Sequence, residues 1–173
     1  MYLRLIQSGI LEITGLPIYP ATTQILKAHK RNMISFLPAI EQPASDAFGS
    51  YNNILLVKND EGDVYVPSLG IDKIMYPGRG YAVFITGNED VEFSYPTDVA
   101  ARSELVDILE AEHEARLPVH YEINSTGISH PIIITDLSGA AEQWDELAAY
   151  ANDKLVGAVR IISLNQPIPL TAF

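Results

Sequence analysis

"VKNDEGDVYVP", residues 57–67, sets Asn59, Asp60, Glu61 and Asp63 around Gly62, between two apolar runs. Oxygen-bearing side chains at that density either hold a cation or turn the chain, and the two readings lead to different folds. A helix–loop–helix calcium site needs ligands at alternating positions over roughly 12 residues, a closing bidentate glutamate and helical flanks. Here the flanks are "NILLV" and "DVYVP", rich in β-formers, and no glutamate stands at the closing distance. Asn59 and Asp60 suit the first corner of a type I turn, and Gly62 suits the left-handed residue that closes it. The stretch is read as a hairpin turn, and the chain as one built from short strands.

The same grammar runs outward in both directions. "YPGRGYAVFITGNEDVEFSYP" (76–96) punctuates with Pro77, Gly78 and Gly80, runs as a strand, turns at "GNED" and alternates back. The Gly-x-Gly pair is not a phosphate loop, because such loops lead into a helix and these glycines lead into a strand. Upstream, "YLRLI" and "ILEITG" alternate with the period of half-buried strands until Gly15, Pro17 and Pro20 interrupt them. "TQILKAHKRNMISFLP" carries two more apolar runs. "EQPASDAFGSYNN" offers a helical turn at Ala44–Phe48, with Ser45–Asp46 as its cap and Phe48 docked on the core.

Residues 97–117 form the one good helix, capped by Thr97 or Asp98 and ended by Pro118, with Ala101, Leu105, Ile108 and Leu109 on one face. Beyond it, "PVHYEINSTG", "HPIIITDLSG" and "PIPLTAF" read as short β-like runs, and "KLVGAVRII" as a strand. "DELAAYA" is helical by propensity alone. The expected fold is mainly β and sandwich-like: two packed β-rich halves, 1–96 and 118–173, with one inserted helix, as two subdomains or one integrated domain.

Composition narrows the function. With 11 basic and 22 acidic side chains the formal charge is −11, a balance that repels phosphate backbones and anionic lipid. Nucleic-acid and membrane-surface binding are therefore not expected, and no segment has the roughly 20 apolar residues of a membrane helix. Cysteine is absent, which removes disulfides, thiolate nucleophiles and thiolate metal sites. The first residues show neither a signal-peptide apolar run nor a cleavage pattern.

No catalytic constellation emerges. Glu110 and His113 share a helical face, half of a carboxylate-bridged metal site, but a second strong helix to supply the other half is missing. His120 and His130 stand ten residues apart without companions at metal-ligand spacing. No Gly-x-Ser-x-Gly elbow occurs. No catalytic residue, metal ligand or cofactor is assigned. Lys27, His29, Lys30 and Arg31 make a weak basic patch, read as an interface or a solvated loop. Nine tyrosines against five phenylalanines, mostly at strand ends and turns, suit core rims and contact surfaces equally.

Together these segments resemble a β-rich module that recurs in large bacterial surface and secreted proteins. In that module an N-x-I-S-x-L-P run is followed by VK-(D/N)-x-x-G-x-VY-x-P-x-x-GI-x-x-I and by PG-x-GY, matched here by "NMISFLP", "VKNDEGDVYVPSLGIDKI" and "PGRGY". A partner segment of the type GDEIGAFDGDxxVGA is similar to "WDELAAYANDKLVGA". The likeness covers about residues 13–96 and 119–173. Two departures stand out: Lys30 and Arg31 replace a Gly-Trp pair, and Trp144 replaces a glycine before Asp-Glu. The resemblance implies a non-enzymatic, all-β structural or adhesive module.

The expectation is a structural or attachment protein, either a virion component of decoration, tail or fibre type or a subunit of a surface filament. It would assemble with copies of itself or a larger complex through strand edges and a tyrosine-rich surface, on a virion or at a cell surface. The candidate interface residues are Tyr2, Leu3, Leu5, Tyr76, Tyr81, Trp144, Tyr150 and Phe173. The N-terminal "YLRLIQ" and the C-terminal "PIPLTAF" end in apolar residues, and edges of that kind are either covered or used for pairing with another chain. The alternative is a glycan-binding adhesion module, which requires exposed aromatics flanked by Asp and Asn. An enzyme ranks third.

Overall fold

The computed structural model describes residues 18–96, 104–126 and 128–173. The expected strands at 2–6 and 10–15, the caps Thr97 and Asp98, and the interface candidates Tyr2, Leu3 and Leu5 lie outside the described residues. In the first half the strands are β1 (Gln24–Leu26), β2 (Asn32–Ser35), β3 (Gln42–Pro43), β4 (Ile54–Lys58), β5 (Val64–Tyr65), β6 (Ile74–Met75), β7 (Gly80–Ile85) and β8 (Val91–Phe93). Helix α1 (Ala44–Phe48) follows β3, and the long helix α2 (Glu104–Arg116) separates this half from β9 (His130–Ile134), β10 (Glu146–Ala151), β11 (Lys154–Arg160) and β12 (Ile168–Ala172).

The 57–67 stretch turns the chain. β4 and β5 pair antiparallel, with Val57 opposite Tyr65, and extend a four-stranded sheet of order β2-β7-β4-β5. Two smaller ladders, β1-β8 and β3-β6, complete the first half. Its core is an aromatic stack. Phe48, delivered by α1, lies 4.8 Å from Phe93, which meets Tyr95 at the same distance, and Tyr95 in turn meets Phe36 at 5.3 Å. The two most buried phenols find partners: Tyr95 Oη donates to Ser35 O, and Tyr81 Oη accepts from Tyr76 N. Burial pushes the Tyr81 hydroxyl up to about 12.

Three local expectations are corrected here. Tyr81 is a core residue, 1% exposed, because it falls on the inward face of central strand β7, and it offers nothing to a partner. Helix α1 forms where expected, but neither Ser45 nor Asp46 caps it. The carboxylate of Asp72, brought alongside by the β3-β6 ladder, accepts from Ser45 N and Lys73 N instead. "DELAAYA" is strand β10, not helix. The positive-φ pair Asn152 and Asp153 makes a two-residue turn of the kind that matches strand twist, and β11 then supplies a ladder that overrides the helical propensity of Ala and Leu.

The second half buries its own cluster, Val159, Ile161, Ile168, Leu170 and Ala172. β12 pairs with β9, and β11 lies so close against β12 that a Cβ on Gly157 would overlap the Thr171 carbonyl. The C-terminal strand pairs with β9 on one side and lies close against β11, so of the two outcomes "PIPLTAF" takes the covered one. Helix α2 buries Val106 and packs against β3, β6 and β11, with Arg160 Nε donating to Ala115 O at 2.7 Å.

Among the described residues, side-chain hydrogen bonds join the halves directly. Lys58 Nζ donates to Ser129 O at 2.6 Å, and Thr171 Oγ1 donates to Gly62 O at 3.0 Å. Gly62 has φ of +97°, and a Cβ there would land inside the Thr171 side chain. Replacing Gly62 by Ala is therefore expected to cost about 2–3 kcal/mol, from backbone strain plus displacement of β12. Gly70→Ala, at φ +65° but facing open space, is expected to cost only about 1 kcal/mol. Urea unfolding of the two variants checks this, and equal losses would mean that Thr171 does not rest on the turn.

Candidate functional site

The side chains of the 59–63 turn are largely satisfied by one another and by neighbouring protein groups. Asn59 is buried, and its Oδ1 accepts from Gly62 N and Asp63 N at 2.8 and 2.9 Å, so amide hydrogens converge where a cation would need oxygens. The carboxylates point outward to protein cations. Asp63 Oδ2 takes Asn59 Nδ2 at 2.9 Å and Lys73 Nζ at 3.4 Å, Asp63 Oδ1 takes His113 Nδ1 at 3.4 Å, and Glu61 takes Arg79 at 3.0 Å. No cluster of three metal-ligating side chains occurs among the described residues.

This knot forms one wall of a cleft of about 990 Å³ between the first half, helix α2 and the end of β12. Leu69, Leu105, Ile108 and Phe173 give it apolar walls, Asp63, Lys73 and Arg116 give it charge, and His113 adds an imidazole. Lys73 is the unusual member. Its side chain is only 5% exposed, and the ammonium lies 5.2 Å from the Tyr81 ring centroid. Burial pulls it below the ordinary lysine value, and Asp63 opposes that shift. The charges are largely committed to one another: Lys73 and His113 to Asp63, and Arg116 to Glu112 at 3.6 Å.

A second notable feature lies on the C-terminal half. Residues Glu142–Asp145 form a turn closed by Asp145 N donating to Glu142 O, with Trp144 at φ +78°. Trp144 is 56% exposed, and the Arg160 guanidinium carbon sits 5.5 Å from its ring centroid. At the other end of β10, Tyr150 is 60% exposed and stands just before Asn152 and Asp153.

The remaining candidates scatter. Tyr76 and Phe173 line the cleft; Phe173 N donates to Val156 O, which ties the C-terminus to β11. Lys27, His29, Lys30 and Arg31 belong to a turn clasped to residues 88–90: Lys27 Nζ meets Asp90 at 2.7 Å, and His29 Nε2 meets Asn88 Oδ1 at 2.9 Å. His120 meets Glu146, while His130 opens β9 opposite Ala172. Sequence reading missed Lys73, Asp72, Glu146 and Arg160. Only Lys73 had a visible signal, as a cation inside the apolar run "GIDKI".

Glu146 deserves a sign of its own. Burial works against its ionisation, but the N–H groups of Val119 and His120, together with the His120 ring, outweigh burial and hold the carboxyl below its ordinary 4.5. Comparison with family models, with curated proteins and with solved structures finds no match.

Two outcomes are expected. A carboxyl depressed by folding contributes stability that is complete above its unfolded value and lost as pH falls through its folded value. Thermal unfolding followed below pH 4.5 should therefore show a smaller acid loss in Glu146→Gln than in the parent chain. Separately, Asp63→Ala leaves the Lys73 ammonium buried without its carboxylate and is expected to cost about 3–5 kcal/mol in urea unfolding. Adding Lys73→Met should recover most of that loss, and failure to recover would show that the ion pair is not its source.

Proposed function

We propose that the protein is a non-enzymatic structural or attachment module that assembles through a strand edge, as a virion component or a surface filament subunit. The observation that carries this reading is β10. It is six residues long and pairs only with β11 among the described residues, so one side of its backbone has no ladder partner. Exposed edges are ordinarily blunted by lysine, proline or short length. "ELAAYA" has no lysine, arginine or proline, whereas β9 and β12 carry Pro131 and Pro169. An apolar edge left undefended is suited to receiving a strand from another chain.

The committed charges of the cleft favour the same reading over catalysis, since a general acid or base has to be within reach of a substrate proton. Tyr150, exposed at the end of β10, extends the edge with an aromatic contact of the type enriched in interfaces. Light scattering over a range of protein concentrations is expected to give a mass above that of one chain. Tyr150→Lys and Ala151→Lys, both at exposed positions, should reduce that mass to one chain while leaving unfolding within about 0.5 kcal/mol of the parent. A parent chain that stays monomeric throughout would refute the edge reading.

A second reading, glycan binding, is favoured by one specific arrangement. Both exposed aromatics of this half have acidic or amide neighbours, Trp144 beside Asp145 and Tyr150 near Asn152 and Asp153.

A further inference from the structure

The Glu142–Asp145 turn is where backbone strain and exposed aromatic surface coincide. Among the described residues four non-glycine residues have positive φ: His29, Trp144, Asn152 and Asp153. Histidine, asparagine and aspartate tolerate that region; a bulky side chain is an outlier there. Strain at such a position persists only where the surroundings over-determine it, and it collects at ligand sites.

The surroundings do over-determine Trp144. Its N–H donates to Ile161 O at 2.7 Å, and Ile161 N donates back to Asp145 O at 2.8 Å. Glu142 N donates to Asp145 Oδ2 at 2.8 Å, and Gln143 Nε2 to Ile162 O at 2.9 Å. Arg160, anchored to the end of α2 through Ala115 O, sits against the ring and limits its freedom. The result is an indole fixed in place with more than half of its residue's surface in solvent.

We propose that Trp144 is the stacking platform of a glycan-binding site and takes the apolar C–H face of a neutral pyranose on its exposed ring. This rests on the glycan-binding reading and names its site. A pyranose has an apolar face and a hydroxyl rim, and the turn offers the complement. Glu142, Gln143 and Asp145 are all exposed around the indole, with a second Asp145 oxygen and the Gln143 amide oxygen pointing to no partner among the described residues. A tryptophan at the centre of a protein interface is instead ringed by contacts that exclude water, and this polar rim does not. Because the ring is already held, little freedom is lost on stacking.

Trp144 is the chain's single tryptophan, so its emission, excited at the red edge where tyrosine does not absorb, reports directly on the site. Lactose, maltotriose and mannotriose are the probes, titrated into the full chain. At least one is expected to give a saturable change with a Kd of roughly 1 mM, the range of a single stacked ring with few hydrogen bonds. Calorimetry should show Trp144→Tyr weakening that sugar about tenfold and Trp144→Gly abolishing binding. The glycine variant should melt within a few degrees of the parent, since relief of the strained φ offsets loss of the Arg160 contact. No saturable response to any of the three sugars overturns the proposal, as does emission that changes only with protein concentration, which would make Trp144 a contact between copies. A glycine variant that no longer folds would also overturn it, by making the indole a structural pin. Retention of sugar binding in Tyr150→Lys separates this site from the edge.

Discussion

The Asp63 carboxylate is the point on which the architecture turns. Its two oxygens meet Asn59 within its own turn and nitrogens from two other parts of the chain, Lys73 before β6 and His113 on α2. The neighbouring Gly62 receives Thr171 from β12. A five-residue loop thereby fixes the β4-β5 hairpin, the β3-β6 ladder, the long helix and the last strand against one another. An ion pair this buried gains little in net stability, because desolvation consumes most of the attraction. Its effect is positional: with Asn59 Oδ1 holding the loop's amides, the carboxylate has a single direction in which to point.

The same economy of cations runs through a chain with twice as many acidic as basic side chains. Lys58 reaches a carbonyl across the halves, Arg160 a carbonyl at the end of α2, and Lys27 and Arg79 reach carboxylates of neighbouring turns. The exposed pairs add little to stability, because water screens them. Their consequence is electrostatic: with these positive groups engaged internally, the outward field is that of the surplus carboxylates. A partner recognised by hydrogen bonds and stacking tolerates such a surface better than a polyanion does.

Much of the fold was legible because turn chemistry is local. Asn59 to Gly62, the glycines around Arg79 and the Asn152–Asp153 pair each specify backbone geometry on their own, and between them the strands follow. What could not be read was anything set by a remote partner. Asp72 caps α1 from 27 residues away, and a search within four residues of the helix points to Ser45 and Asp46 instead. "ELAAYA" carries helix formers, and only the ladder to β11 makes it a strand. Tyr81 looked like a rim residue beside a turn because the sequence gives its strand but not that strand's place at the centre of the sheet. At the candidate site, the tryptophan standing where the resembling pattern has glycine was visible beforehand. Its positive φ and its stacking on Arg160 were not.

Local choices elsewhere in the chain agree with the global fold: Gly at the tight approach to Thr171, Asn and Asp in the two-residue turn, alanine where α1 meets the core. Two places do not agree. β10 leaves a six-residue edge without the prolines that interrupt β9 and β12, and the turn before it holds a tryptophan in a conformation that favours glycine. A sequence that is consistent at nearly every level, and breaks its own rules at two adjacent positions on one surface, concentrates its cost there. Leu147 and Ala149 pack on the second core, but Trp144 and the Tyr150 end of β10 are exposed, so packing alone does not account for them. In the proposed function the compensation comes from something that binds that face, along β10 and its preceding turn, instead of in the cleft, where the charged groups already answer one another.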